Sequence, residues 1–372
     1  MLRHLGHCRV AKKKMLFLIE AKNKRGKETE GKELKRNKIV ALLLAGGIAV
    51  TPLQSVVAQV IRDGNDMTVH FVDVGQGLGI LVRSGDETLV YDGGPASNAD
   101  LFSAYLQEQG VKQIDYMIAS HYDADHIGGL LEALELFDVE NVIGPTYEHD
   151  SNLYRNFLSA VSEEGIEIYH PEVGDMFEFG SGRFTVLSPD GVYPNDSNKN
   201  SVVVKLENGD DSFMFTGDAE EDSEQKMLGM DLDCDVLCVG HHGSSYSTSW
   251  EFLSATDPEC AVVSCGRENT YGHPHDETIE KLHYMDISIY RTDKQGTIVA
   301  YSTGKEISWD EEAFEETSSG RFEDKNKEIA EADKNEIIKE WRLIVQKRDI
   351  AGKWVVLAML ALTGVIACYK RK

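Results

Sequence analysis

The sequence predicts an α/β sandwich, two mixed β-sheets with helices on both outer faces, and three observations predict it. Short β-rich runs separated by turn residues open the body at 67–74, 78–83 and 87–92, which reads as an antiparallel meander. After Gly93-Gly94-Pro95, helical patterns interleave with further strands. A chain that combines a meander with this many β-α units covers its apolar surface best as two packed sheets flanked by helices.

In chain order, helices are expected at 98–109, 126–137, 153–163, 219–228, 248–255 and 276–285. Strands are expected at 114–119, 141–144, 184–188, 201–206, 212–216, 235–239, 260–264, 287–290 and 297–301. The clearest junction is the one near residue 120. Residues 114–119 form a short apolar run, and Leu130, Leu131, Ala133, Leu134, Leu136 and Phe137 follow at helical spacing.

Between them lies Ser120-His121-Tyr122-Asp123-Ala124-Asp125-His126-Ile127-Gly128-Gly129. Two histidines and two aspartates in six positions exceed any packing need. A helix cap would use one aspartate and leave both histidines idle. Imidazole and carboxylate are ligands for Zn, Mn or Fe, and four on one strand-to-helix turn point to two ions side by side.

This motif resembles the metal motif of the metallo-β-lactamase fold superfamily, with Asp123 where a second histidine is commonest. The Asp form resembles the hydrolase domain of ComEC-type competence proteins and the phosphorylcholine esterases. The resemblance covers residues 66–309 and implies an αββα fold. It further implies that Asp218, in Thr216-Gly217-Asp218, bridges two metals. It makes one of His241 and His242, in Gly240-His241-His242-Gly243-Ser244-Ser245, a ligand and the other a proton donor, without saying which. His273, at the last strand-to-helix turn, is expected as the final ligand. Val72-Asp73-Val74-Gly75-Gln76-Gly77 resembles the opening signature of the ComEC-type group, with Leu78 in place of an acidic residue. Asp73 and Asp92 are expected as carboxylates that support the ligands, with Asn200 and Ser244 beside the substrate. Asn200-Ser201 stands where many relatives carry another metal histidine. His149, His170 and His283 read as surface histidines.

The implied centre holds two divalent ions, Zn or Mn. His121, Asp123 and a later histidine serve one ion, Asp125, His126 and His273 the other, and Asp218 lies between them, with Asp125, His241 and His242 as the catalytic set. Such a centre suits phosphodiester hydrolysis. The expected substrate is single-stranded DNA or another phosphodiester, the alternative a surface phosphoester such as phosphorylcholine on a teichoic acid. A binding module that keeps metal for stability is the reading from a different class. The Asp123 pattern and the absent third-motif histidine weigh against β-lactams.

The ends of the chain suggest a membrane. Residues 1–38 carry 13 Lys and Arg against 4 Asp and Glu, and an apolar run at 39–50 is followed by Val56-Val57-Ala58. Residues 1–58 are therefore expected to hold a signal peptide cleaved after Ala58, or an uncleaved anchor, and translation could begin at Met15. Residues 310–352 read as an acidic stalk, and 353–372 as a C-terminal anchor whose basic tail faces the cytoplasm. The hydrolase domain is thus expected outside the cell, membrane-bound through its termini, with no protein partner indicated.

Residues 39–369 hold 22 basic and 59 acidic side chains. A body so negative repels a polyanion at long range and is excluded as a charge-driven, non-specific nucleic-acid binder. Of six cysteines, Cys234, Cys238, Cys260 and Cys265 fall on or beside expected buried strands, where free structural thiols are expected.

Overall fold

A computed structural model describes residues 66–314. In chain order these residues form β1 (Met67–Phe71), β2 (Gly79–Ser84), β3 (Glu87–Gly93), α1 (Ala99–Glu108), β4 (Gln113–Ile118), α2 (Ala124–Leu136), β5 (Asp138–Ile143), α3 (Asn152–Glu163), β6 (Ile168–Tyr169), β7 (Met176–Phe179) and β8 (Gly182–Ser188). The second half continues with β9 (Val203–Asn208), β10 (Asp211–Phe215), α4 (Glu221–Met227), β11 (Val236–Cys238), α5 (Trp250–Thr256), β12 (Cys260–Val263), α6 (Asp276–Tyr284), β13 (Ser288–Arg291), α7 (Thr292–Gln295), β14 (Ile298–Ser302) and β15 (Ile307–Trp309).

The strands make two sheets, one of eight in the order β15-β14-β1-β2-β3-β4-β5-β6 and one of seven in the order β13-β12-β11-β10-β9-β8-β7. Alternation along the strands shows what each face covers. Ile80 and Val82 of β2 join Phe184, Val204, Phe213 and Val236 of the other sheet in one buried cluster, so the sheets pack face to face. Leu81 and Val90 turn outward onto Phe102, Leu130 and Phe157 of α1, α2 and α3. On the opposite side Leu237 and Ala261 meet Phe252, Leu253 and Leu282 of α5 and α6. The expected sandwich is therefore present, with both faces of the central strands buried.

Both sheets are mixed, with one run of antiparallel and one run of parallel pairings each. The parallel strands β3, β4, β5 and β6 follow the opening meander. In the second sheet β10, β11, β12 and β13 run parallel. The turns that carry the ligand-type residues follow the C-terminal ends of β3, β4, β10 and β11, where open α/β sheets place their crevices.

One contact fixes the geometry of the first such turn. A Cβ on Gly129 would lie 2.0 Å from the Gly93 carbonyl oxygen, and one on Gly128 would lie 2.1 Å from the Ala96 nitrogen. The backbone of α2 thus rests directly on the end of β3, with the Gly129 N–H donating to the Gly94 oxygen at 2.9 Å. Only glycine permits that approach.

The short strands β6, β7 and β15 and the one-turn α7 were not expected, because two to four residues carry too little periodicity to register. The expected strand over 67–74 ends at Phe71, where the chain enters the glycine turn. Contacts continue beyond 309, with Val299 donating to Asp310 and Phe314 to the Ile289 carbonyl, so the start of the expected stalk is tied to the body. The four cysteines are free thiols, three buried and Cys260 half-buried. The expected leader at 1–58 and anchor at 353–372 lie outside the described residues, as does the stalk from 315 on. Among the described residues no helix is long and apolar enough to cross a membrane.

Gly129→Ala is expected to destabilise the protein by about 1–3 kcal/mol, the usual cost of overpacking, because the added carbon meets backbone. Gly229→Ala, where nothing lies within 4 Å, is the neutral control. Thermal unfolding of the two variants checks this, and equal midpoints would remove the packing argument.

Candidate metal centre

The residues that converge at the strand ends come from both sheets. From the first sheet, the turn after β4 supplies His121, Asp123, Asp125 and His126. The second sheet supplies Asp218 after β10, then His241 and His242 after β11. His121, His126, Asp218 and His242 are all buried.

Asp218 is the meeting point. Its Oδ1 lies 3.2 Å from His126 Nε2 and 3.5 Å from His242 Nε2. Its Oδ2 lies 3.6 Å from His241 Nε2 and 3.9 Å from His121 Nε2. Asp125 Oδ2 is 3.5 Å from His242 Nε2, and Asp123 Oδ2 is 3.7 Å from His121 Nε2. Two sets of donor atoms lie close enough to hold an ion, His121 with His126 and Asp218, and Asp125 with His126 and His242.

The outer nitrogens of the imidazoles are already engaged. His126 Nδ1 pairs with Asp92 Oδ2 at 2.7 Å, His242 Nδ1 with the Ser264 carbonyl at 3.0 Å, and His121 Nδ1 with the Ser120 hydroxyl at 3.0 Å. Their Nε2 atoms, and Asp218 Oδ1, are buried without a hydrogen-bond partner. Burying polar atoms in that state is costly, and four converging on one point form a centre that fits a cation. Nδ1 held from outside with Nε2 facing inward is the arrangement of metal-binding histidines.

The electrostatics make the same demand. Burial acts to raise the Asp218 pKa, but His126, His242 and His121 overturn it and hold the carboxylate well below its usual range. Burial acts to lower the His126 pKa, and Asp218 with Asp92 raises it well above that of free imidazole. Asp125, despite burial, is held low by His242 and His126. The cluster therefore keeps its carboxylates ionised and draws positive charge to itself, which divalent cations supply.

Asp92 is fully buried and organises this side of the cluster. Its Oδ1 accepts the Ser120 N–H at 2.8 Å, and its Oδ2 accepts the Ser120 hydroxyl at 2.6 Å as well as meeting His126. His241 and His242 adopt left-handed backbone, with φ of +48° and +55°. Non-glycine residues rarely do so, and the strain concentrates at functional sites. Adjacent residues in a strand face opposite ways, whereas here both rings reach Asp218. His242 sits deep with Asp125, and His241 stays at the rim between Asp218 and Glu220, whose Oε1 is 3.3 Å from its Nδ1.

Other expected residues stand apart. His273, expected beside Asp125 and His126, is in neither donor set, although its Nδ1, like the inner nitrogens of His121, His126 and His242, is buried without a hydrogen-bond partner. Its ring lies 5.5 Å from that of His241 and 6.2 Å from that of His242, and stacks on Tyr271. Asn200 is buried but turns to its own loop, accepting the Tyr193 N–H and donating to the carbonyls of Tyr193 and Asp196. Asp73 accepts the Gly75 N–H at 3.2 Å and so closes the glycine turn. The Ser244 hydroxyl accepts the Tyr246 N–H at 3.3 Å, which makes it a turn residue.

The sequence reading missed several members of the outer ring. His149, expected to face solvent, has Nε2 3.2 Å from Asp123 Oδ1, and the Ser197 hydroxyl donates to the same oxygen at 2.5 Å. Asn198 donates to Glu220 at 2.9 Å. No motif marks these residues, because they reach the centre through loops. The one available signal is that Ser197 and Asn198 come just before Asn200-Ser201, the position expected to carry another metal histidine.

His242→Ala is expected to lower bound divalent metal per chain, while His273→Ala leaves the stoichiometry unchanged. Elemental analysis of the purified variants after dialysis checks the assignment, and loss in His273→Ala alone would reverse it.

The chain is similar in sequence to several known proteins. The chain is 31% identical over 287 residues to ComE operon protein 3 of Bacillus subtilis, covering 71% of this chain and 37% of that protein. It is 33% identical over 235 residues to Recombination protein 2 of Haemophilus influenzae, covering 62% and 28%. With Competence protein ComA of Neisseria gonorrhoeae it shares 29% over 261 residues, covering 69% and 34%. The chain thus spans about a third of the length of these curated relatives. Residues 72–267, more than half of the sequence, match the family model of the metallo-beta-lactamase superfamily, and to that superfamily the chain belongs.

Proposed function

We propose that the domain is a dinuclear metal-dependent phosphodiesterase. The observation that carries this reading is the division of Asp218, one oxygen facing His126 and His242 and the other facing His121 and His241. A carboxylate so placed can serve two ions at once. His126, His242, Asp125 and Asp218 would hold one, and His121, Asp123 and Asp218 the other. Two divalent ions, Zn or Mn, would supply a water of lowered pKa and positive charge against the phosphate oxygens.

The protein's own groups do the rest. Asp92 and Ser120 fix the ring planes of His126 and His121 from behind, so their inward nitrogens need no reorientation. His149 and Ser197 hold Asp123 from the side. His241, backed by Glu220 and 22% exposed, is the group positioned to hand a proton to a leaving oxygen at the rim.

The test uses the full-length chain loaded with Mn or Zn and assayed on bis-p-nitrophenyl phosphate, single-stranded DNA and p-nitrophenyl phosphorylcholine. Hydrolysis is expected with the first two. Asp218→Asn is expected to lower kcat about a thousandfold, equivalent to roughly 4 kcal/mol of lost transition-state stabilisation. A metal-loaded chain that cleaves none of the three would sink the reading. Preference for the choline ester would select a surface phosphoester as substrate.

The apolar segments at 39–50 and 354–369 support a membrane-bound protein with its catalytic domain outside the cell. Protease added to intact cells should then cleave the domain, and full protection until lysis would contradict that placement.

A further inference from the structure

We infer that Tyr271 is a stacking platform for an unpaired nucleobase carried beside the scissile phosphate, an inference that rests on the phosphodiesterase reading above. Tyr271 is 65% exposed, unusual for a ring so close to a buried polar centre. It stacks on His273 with centroids 5.6 Å apart and planes at 22°, and His273 lies over His242 at 6.2 Å and 30°. The three rings form a stair from solvent down to the residue that faces Asp125 and Asp218.

The loop that presents Tyr271 is held in place. Asn269 accepts the His273 N–H at 2.9 Å and donates to the carbonyls of Gly266 and His273, and the Gly266 N–H is bound by Gln76. Side-chain-to-backbone hydrogen bonds on either side of Tyr271 thus hold the loop that carries its ring. Tyr271 belongs to none of the three buried clusters, so the core does not account for its size. A ring with one face on a histidine and much of its surface open to solvent is a surface on which another planar ring stacks.

The charge of the body points the same way. Side chains that attract phosphates are scarce, 22 basic against 59 acidic over residues 39–369, so counterion release contributes little to holding a strand. Stacking does not depend on net charge and is open to any base whose faces are free. Bases inside a duplex have both faces covered by their stacked neighbours, which selects single strands over duplex.

The platform is tested by titrating the full-length chain with a short oligodeoxynucleotide containing 2-aminopurine, whose fluorescence falls on stacking. Quenching is expected with the wild type and with Tyr271→Phe, and Tyr271→Ala should bind about tenfold more weakly. In parallel, the ratio of kcat/KM for thymidine 5′-p-nitrophenyl phosphate to that for methyl p-nitrophenyl phosphate should fall about tenfold in Tyr271→Ala. An unchanged affinity and ratio would overturn the inference. So would a selective loss on p-nitrophenyl phosphorylcholine, which would make the ring a cation–π partner for an ammonium group. If the wild type hydrolyses none of these esters, the phosphodiesterase reading fails, and the titration alone decides the platform.

Discussion

The close approach of α2 to the end of β3 is the contact on which the centre depends. Gly128 and Gly129 let the helix settle against Gly93 and Ala96, closer than any side chain would permit. That contact sets the start of the helix, and with it Asp125 and His126, at a fixed distance from Asp92 one residue before Gly93. Asp92 then reaches His126 at 2.7 Å and Ser120 at 2.6 Å, and these bonds orient the two inner imidazoles of the turn. The packing of two glycine pairs is thus the first step in a sequence that ends in four inward-facing donor atoms without hydrogen-bond partners.

How much of this could be read from the chain depends on where each residue sits. His121, Asp123, Asp125 and His126 were legible because they share one turn, and a single turn states its own density of ligands. Asp218 and the pair at 241–242 were legible because each follows an apolar strand and precedes a turn, and the sheet order brings those strand ends to one edge. The closeness of His242 to Asp125 and Asp218 was not, since it follows from left-handed backbone at 241 and 242, which residue identity does not announce. His149, Ser197, Asn198 and Glu220 reach the centre through loops whose path is set by tertiary contacts, as in the hydrogen bond from Ser197 to Asp123. The sandwich itself was readable from the apolar alternation, and its shortest strands were too brief to leave a pattern.

The charge of the chain and the charge of its centre meet different needs. The acidic surface supports solubility and repels polyanions at a distance. At the strand ends, ionised carboxylates are gathered for a local purpose, drawing cations into a site walled by the buried rings of His121, His126 and His242. An acidic protein can act on a phosphodiester when bound cations reverse the field over the few ångströms that the reacting group occupies.

The sheet origin of the donors has a mechanical meaning. His121, Asp123, Asp125 and His126 follow the end of a strand in one sheet, and Asp218, His241 and His242 follow strand ends of the other. Asp218 faces imidazoles from both sides, so an ion held there would act as a clasp between the two layers. The rim would open when the ion leaves, while the apolar core between the sheets keeps the remainder closed. Metal content would then govern the stiffness of one end of the sandwich, and the left-handed backbone at His242 would be held in place by the ion that His242 would ligate.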